Sequence, residues 1–176
     1  MLATLRTSRP AQAALAVTLL AAGAFGWWTI SPLFLTTSVH EDLPRASAVA
    51  TAQPSASASV SAAATTGPKL LAVGQLQRVD DLHRGMGPVS LIELDGKRFV
   101  RFEDVAIQNG PDLHVYLARG AGGAYDGSRD LYLGALKATN GSFNYELPAD
   151  ARVADYRSVV VWCRAFSVLF TWADLK

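Results

Sequence analysis

The segment 158–172 is the most apolar stretch of the chain outside its amino-terminal region, and it contains the only cysteine. The four residues before Cys163, Val159-Val160-Val161-Trp162, are β-branched or aromatic at odd and even positions alike. A strand with this composition on both parities is typical of one covered on both faces. Arg164 and Ala165 then interrupt the apolar run. We therefore expect Cys163 to lie where a core strand ends or bulges, a position from which a side chain can be directed at the rim of the domain.

The carboxyl-terminal part of the chain has the sequence pattern of an all-β domain. From Leu70 onward, short apolar or alternating runs are separated by turn residues, which predicts an antiparallel β-sandwich of about eight strands. The predicted strands are 73–79, 89–94, 98–105, 113–118, 131–136, 142–147, 156–163 and 166–171. Asp95-Gly96 lies between two alternating runs and predicts a type I′ hairpin, and Asn140-Gly141 predicts a second tight turn.

The amino-terminal region is apolar and free of charge from residue 10 to residue 39. At ~1.5 Å per residue, a helix over residues 11–35 is long enough for a ~30 Å hydrocarbon layer, so we expect a transmembrane signal-anchor helix there. Arg6 and Arg9 precede this segment. The positive-inside rule then places residues 1–10 in the cytoplasm and the carboxyl-terminal domain outside it, in a single-pass protein of the cell membrane.

A cleavable signal peptide is the competing interpretation of the same region. Ala22-Gly23-Ala24 has the small-x-small form that signal peptidases accept after a short apolar core. Cleavage there would leave an apolar free end that includes Trp27 and Trp28. Both interpretations export the domain.

Residues 36–68 are predicted to form a flexible linker. From residue 44 to residue 68 the chain has no aromatic side chain and one charge, Arg45, among Ala, Ser, Thr, Val, Gln, Gly and Pro. A segment of this composition buries too little apolar surface to offset the conformational entropy that it would lose on ordering. We therefore place the folded domain at residues 69–176, where basic and acidic side chains are equal in number. Neutral charge excludes a basic nucleic-acid-binding stripe, and we expect the domain to be monomeric.

Four sequence blocks occur in a familiar order and spacing. They are GPDLHVYL at 110–117, Leu133-Gly134-x-Leu136-Lys137, Asn144-Tyr145-x-Leu147-Pro148, and Val160-Val161-Trp162-Cys163-Arg164-x-Phe166 followed by Phe170-x-x-Ala173. Over residues 70–176 the chain resembles the DM-thirteen domain family, the "electron transfer" domain family. Trp172 and Asp174 depart from the family's usual closing block.

The resemblance implies a β-sandwich, and bacterial members resemble this chain in carrying the domain behind one amino-terminal membrane helix. It also implies electron transfer, with Cys163 acting as a redox thiol or as a ligand to a prosthetic group such as non-covalently bound haem. With this role, and at the end of an apolar strand, the Cys163 sulfur is expected to be reachable from the rim of the domain. His114 is the second candidate ligand, although its parity with Asp112 and Tyr116 places it on the surface or rim, where a solvated histidine is the simpler interpretation.

Two functions from different classes follow. The first is a tethered, extracytoplasmic redox or electron-transfer module that uses Cys163 and exchanges electrons with an unidentified redox or envelope protein. The second is a non-catalytic cell-envelope binding module in which Cys163 is structural, as free cysteines often are. No hydrolase or transferase motif occurs in the chain, which disfavours an enzyme of either kind.

Overall fold

The computed structural model describes residues 9–30, 36–44 and 67–176, which fall into two compact units, Met1–Leu35 and Thr36–Lys176. Most of residues 1–10, predicted to be cytoplasmic, lie outside these ranges. The described residues of the first unit form a helix, α1, Arg9–Ile30, whose apolar side chains are exposed where they are described. Within the three described ranges, no helix combines the length and the apolar character needed to cross a membrane. The predicted transmembrane helix over residues 11–35 is therefore not supported.

The second unit is mostly β, as predicted, and its described residues form eleven strands in two sheets. The strands are β1 Ser38–His40, β2 Lys69–Gln75, β3 Gln77–Arg78, β4 Gly85–Met86, β5 Pro88–Leu94, β6 Lys97–Ile107, β7 Leu113–Ala118, β8 Leu131–Ala135, β9 Asn140–Glu146, β10 Ser158–Cys163 and β11 Val168–Asp174. The first sheet has the order β1-β9-β6-β5-β2, with β4 on β6, and the second has the order β3-β11-β10-β7-β8. A short 3₁₀ helix, Val153–Asp155, precedes β10.

One hydrophobic core lies between the sheets. Phe102 and Phe143 of the first sheet stack with ring centroids 4.9 Å apart, and Val115 and Val161 of the second sheet belong to the same buried cluster. Alternate residues of β7 and β10 point into this core, so the residues between them form the outer face of the second sheet. The predicted β-sandwich is confirmed at this level.

The predicted extent of the linker, residues 36–68, is wrong at the linker's amino-terminal end. Residues 36–44, assigned to the linker, belong to the first sheet, because β1 pairs in parallel with β9. The N–H of Glu41 donates to the Ser142 carbonyl at 2.7 Å, and the Glu41 carboxylate accepts the Asn144 N–H at 2.9 Å and the Lys137 ammonium at 2.7 Å. Residues 45–66 of the predicted linker lie outside the described residues.

The two predicted turns have different outcomes. Asp95 and Gly96 join β5 to β6 with φ of 51° and 74°, the two positive values that a type I′ turn requires, so that prediction is confirmed. Asn140-Gly141 is not a tight turn but the start of β9. Gly141 is needed there because it has φ of +105° and because a Cβ would collide with the Val39 carbonyl of β1.

Candidate functional site

Cys163 is enclosed in the core, so the prediction that its sulfur is reachable from the rim is wrong. Cys163 is the last residue of β10. A bulge in the pairing of β10 with β11 lies just before it, between Val161 and Trp162. Its strand neighbours are Leu113 on one side and Val168 on the other, and its exposed fraction is 0%. A fully covered thiol cannot meet a second sulfur or a soluble thiol without opening of the fold.

His114 lies on the opposite face of the same sheet. Its register partner on β10 is Trp162, whereas that of Cys163 is Leu113, and consecutive pairs point to opposite faces. The prediction that His114 shares the outer side of β7 with Tyr116 is thus confirmed, but its exposed fraction is only 8%, not that of a surface side chain. The Tyr132 ring lies beside it, with centroids 5.6 Å apart.

His114 is part of a group that we call the outer aromatic cluster. The cluster lies on the outer face of the second sheet and consists of His114, Tyr116, Tyr125, Tyr132, Trp162 and Arg164. Three strands bring four of its members together, because β7 lies between β8 and β10 in the sheet. Tyr116 faces Tyr132 across β7 and β8, and His114 faces Trp162 across β7 and β10.

The four large rings of the cluster form an unbroken series of contacts. Ring centroids are 4.4 Å apart between Trp162 and Tyr125, 4.8 Å between Tyr125 and Tyr116, and 5.2 Å between Tyr116 and Tyr132. These separations are within the range of favourable aromatic pairs. The Arg164 guanidinium lies over the Tyr132 ring at 4.3 Å and donates from Nε to the Tyr116 hydroxyl at 2.7 Å.

Tyr125 is placed in the cluster by the glycine-rich loop between β7 and β8. Asp130 holds this loop by accepting the backbone N–H of Arg119 at 3.0 Å and that of Asp126 at 2.7 Å. Asp126 accepts both the N–H and the hydroxyl of Ser128, and these hydrogen bonds lower its pKa. The loop carboxylates are therefore used to fix the backbone that presents Tyr125.

Asp174 also fixes this loop, since it accepts the Gly122 N–H at 2.7 Å. This contact gives a structural role to one of the two residues at which the closing block departs from the family's usual form. Trp172, the other one, lies against Gly123, where φ is +76° and a Cβ would crowd Leu169 and Trp172.

The phenol of Tyr125 is held in its protonated form. Burial, together with a hydrogen bond to Tyr116, raises the pKa of Tyr125 to about 12. The hydrogen bond to the Tyr116 hydroxyl raises the pKa of Arg164, which stays cationic. Because the phenol of Tyr125 is neutral, removal of an electron from its ring must be accompanied by loss of its proton.

Cys163 and His114 do not fit as ligands of one haem. They point to opposite faces of the second sheet, and Cys163 is covered by the core. Both ring nitrogens of His114 are engaged, Nδ1 with the Tyr132 hydroxyl at 2.9 Å and Nε2 with the Asp112 carboxylate at 2.7 Å. Among the residues that the structure describes, no group of three or more His, Cys, Asp or Glu side chains could hold a metal ion.

The arrangement can undergo one-electron chemistry. Apart from thiols, phenol and indole rings are the protein side chains that lose an electron most readily, and the cluster holds three of the five tyrosines of the chain. Sequence reasoning found His114 but missed Tyr125 and Tyr132. The parity of Tyr116 and Trp162 marks them as outward-facing, whereas the positions of Tyr125 and Tyr132 depend on a loop conformation and a strand register.

Comparison with known proteins identifies a family. The sequence profile of the family described as Electron transfer DM13 matches residues 75–175, more than half of the chain. No curated protein and no solved structure matches it.

Proposed function

The chain belongs to the electron transfer DM13 family, and on that premise we propose that it is a redox module that passes single electrons through the outer aromatic cluster. The observation that carries the proposal is the unbroken series of rings from Trp162 to Tyr132, with neighbouring centroids 4.4 to 5.2 Å apart. Tyr132 is 45% exposed, so an electron reaches or leaves the series at the protein surface.

Cys163 has a structural role in this proposal. Its thiol fills space in the core between the sheets and takes part in no disulfide exchange. The family's electron transfer is thereby assigned to side chains that a partner can approach, with a one-electron carrier protein as the partner.

The test is flash photo-oxidation of the full chain with ruthenium tris-bipyridine and a sacrificial electron acceptor. Transient absorption and electron paramagnetic resonance distinguish tyrosyl radicals from the tryptophanyl radicals that Trp27 and Trp28 could give. We expect a tyrosyl radical whose yield falls severalfold in Tyr132→Phe and in Tyr125→Phe. Tyr156→Phe is the matched control, because Tyr156 lies outside the cluster, beneath Arg119. Equal yields in all four proteins would overturn the proposal.

A second candidate function is favoured by the burial of Cys163. A non-catalytic binding module needs no accessible thiol, and the exposed Tyr132 and Arg164 could contact another envelope component through the same face. The photo-oxidation experiment separates the two functions. Absence of any tyrosyl radical from the wild-type chain would replace the redox module with the binding module.

We further propose that the module works outside the cytoplasm. The support is the sequence alone, namely Arg6 and Arg9 ahead of the uncharged residues 10–39, as in an export signal. Export needs an amino-terminal signal but no permanent membrane span. Protease added to spheroplasts should digest residues 67–176 while a cytoplasmic marker survives. Protection of those residues until lysis would refute this location.

A further inference from the structure

We infer that Tyr132, His114 and Asp112 form a proton relay that couples the oxidation of Tyr132 to proton transfer. The inference rests on the proposed function and adds to it the group that receives the phenolic proton. The three side chains are joined in series by two hydrogen bonds, 2.9 Å from the Tyr132 hydroxyl to His114 Nδ1 and 2.7 Å from His114 Nε2 to Asp112 Oδ1. Both distances are within the range required for proton transfer.

The direction of the two hydrogen bonds follows from the charge of Asp112. An ionised carboxylate only accepts, so Nε2 of His114 must carry a proton and donate it to Asp112. In the neutral imidazole, Nδ1 then has a free lone pair and can only accept. The Tyr132 hydroxyl is therefore the donor to Nδ1. Asp112 thus selects the tautomer of His114 that is ready to take the phenolic proton.

The burial of the three groups suits their places in the relay. The His114 side chain is 10% exposed, so its two protein partners, rather than water, hold it in one orientation. The Asp112 side chain is 45% exposed and stabilises the imidazolium that forms, while remaining in contact with solvent. Tyr132, at 45% exposed, meets the electron acceptor at the surface.

The relay step moves one electron and one proton away from Tyr132. A one-electron oxidant, here the oxidised carrier protein of the proposed function, takes one electron from the Tyr132 ring. The Oη–H bond breaks, and its proton forms an N–H bond at Nδ1 of His114. The products are a neutral tyrosyl radical, an imidazolium paired with the Asp112 carboxylate, and the reduced carrier. Re-reduction of Tyr132 returns the proton along the same path.

The relay requires His114 in its neutral form. Asp112 faces its Nε2, Tyr132 of β8 faces its Nδ1, and Trp162 of β10 is its register partner. The Arg164 guanidinium, over the Tyr132 ring, is the cation of the cluster. Once acid protonates His114, both nitrogens are donors and neither can accept the phenolic proton. Oxidation of Tyr132 must therefore slow as His114 becomes protonated.

The experiment measures the rate of tyrosyl radical formation in the full chain, with photogenerated ruthenium(III) tris-bipyridine as oxidant, as a function of pH. Proton NMR of the histidine rings follows the protonation of His114 in parallel. We expect the wild-type rate to fall with the titration of His114, and to be lower in deuterium oxide. In His114→Gln the rate should be about 100-fold lower and insensitive to pH in the same range. His83→Gln is the matched control, because His83 also pairs with an aspartate, Asp80 at 2.8 Å, but lies outside the cluster.

The outcomes separate the relay from the redox module. If the wild-type chain gives no tyrosyl radical, the proposed function fails and the relay with it. If the radical forms but its rate is within about threefold in His114→Gln and wild type, the relay alone is refuted. The deuterium effect needs no variant, so equal rates in the two solvents refute the relay even if His114→Gln does not fold.

Discussion

The enclosure of Cys163 predicts that native thiol labelling is limited by unfolding. Its exposed fraction is 0% and it is flanked by paired strands on both sides, so no small movement of a loop uncovers the sulfur. A reagent reaches it only in molecules that have opened the second sheet. For a domain stability of at least about 5 kcal/mol, with about 1.4 kcal/mol for each factor of ten, labelling should be slowed by roughly 10³-fold or more relative to an open thiol.

The assay is reaction of the native chain with a chromogenic disulfide reagent under pseudo-first-order conditions. The control is Ala165→Cys in a Cys163→Ala background, which moves the thiol two residues along to an exposed position in the turn before β11. We expect the control to label as fast as a free thiol, and wild type to label roughly 10³-fold more slowly or slower still, in proportion to the fraction of opened molecules. Wild-type labelling within about tenfold of the control would refute the enclosure of Cys163.

The same site predicts an order of stabilities. Cys163→Ala removes one buried sulfur and should lower the free energy of unfolding by about 1 kcal/mol. Cys163→Ser introduces a hydroxyl into the apolar core and should lower the free energy of unfolding by about 1 kcal/mol more than Cys163→Ala does. Urea denaturation measures both values. A serine variant as stable as wild type would indicate a polar, hydrated surrounding and not the dry core described above.

Two further predictions concern the first sheet. Glu41→Gln should lower the free energy of unfolding by about 1 kcal/mol at neutral pH, a value kept small because the ion pair with Lys137 is partly exposed. Burial opposes ionisation of Glu41, but hydrogen bonds from Lys137 and Asn144 outweigh it and lower its pKa below the ordinary 4.5. The difference in unfolding free energy between wild type and Glu41→Gln should therefore be complete above pH 4.5 and disappear as the pH falls through the lowered pKa of Glu41. A difference that stays constant across this pH range in urea titrations would contradict the prediction. Gly141→Ala should lower the free energy of unfolding by roughly 1–3 kcal/mol, because of the positive φ of Gly141 and the collision of a Cβ with Val39. The loss should be smaller in Gly96→Ala, because a Cβ at Gly96 meets open space. Equal urea midpoints for the two variants would refute that contrast.

Local sequence signals predicted the parts of the fold that local physics decides. Asp95-Gly96 combines two residues that tolerate positive φ, so its turn type follows from the dipeptide itself. The alternation along β7 assigned Leu113 to the core and His114 to the opposite face, as the structure has them. These features need no information from distant residues.

The failures arose where a distant segment decides the outcome. Asn140-Gly141 has the composition of a hairpin turn, but β1 approaches it closely, and the glycine is used for that contact. β1 has only three residues, and residues with the composition of a linker separate it from the rest of the domain. Its parallel pairing with β9 therefore cannot be recognised from the local sequence. The Arg164-Ala165 break suggested a rim position for Cys163, but the residue belongs to the buried core and still pairs with β7 and β11 before the chain turns.

The candidate site was predictable only in part, for a related reason. His114, Tyr116 and Trp162 could be placed on outer faces from strand parity. Tyr125 and Tyr132 join them through a loop held by carboxylates and through the register of β8 on β7, which shifts between Val115 and Tyr116. A one-residue difference in such a register would move Tyr132 to the other face of the sheet.

The central claim, that the outer aromatic cluster and not the thiol carries the electron, is tested most directly by removing the thiol. The measurement is the yield of tyrosyl radical, by electron paramagnetic resonance after flash photo-oxidation, in wild type and in Cys163→Ala. Because Cys163 lies on the inner face and the cluster on the outer face, we predict equal yields and the same spectrum in the two proteins. Loss of the radical in Cys163→Ala, with the fold intact by circular dichroism, would contradict the claim and return the redox role to the cysteine.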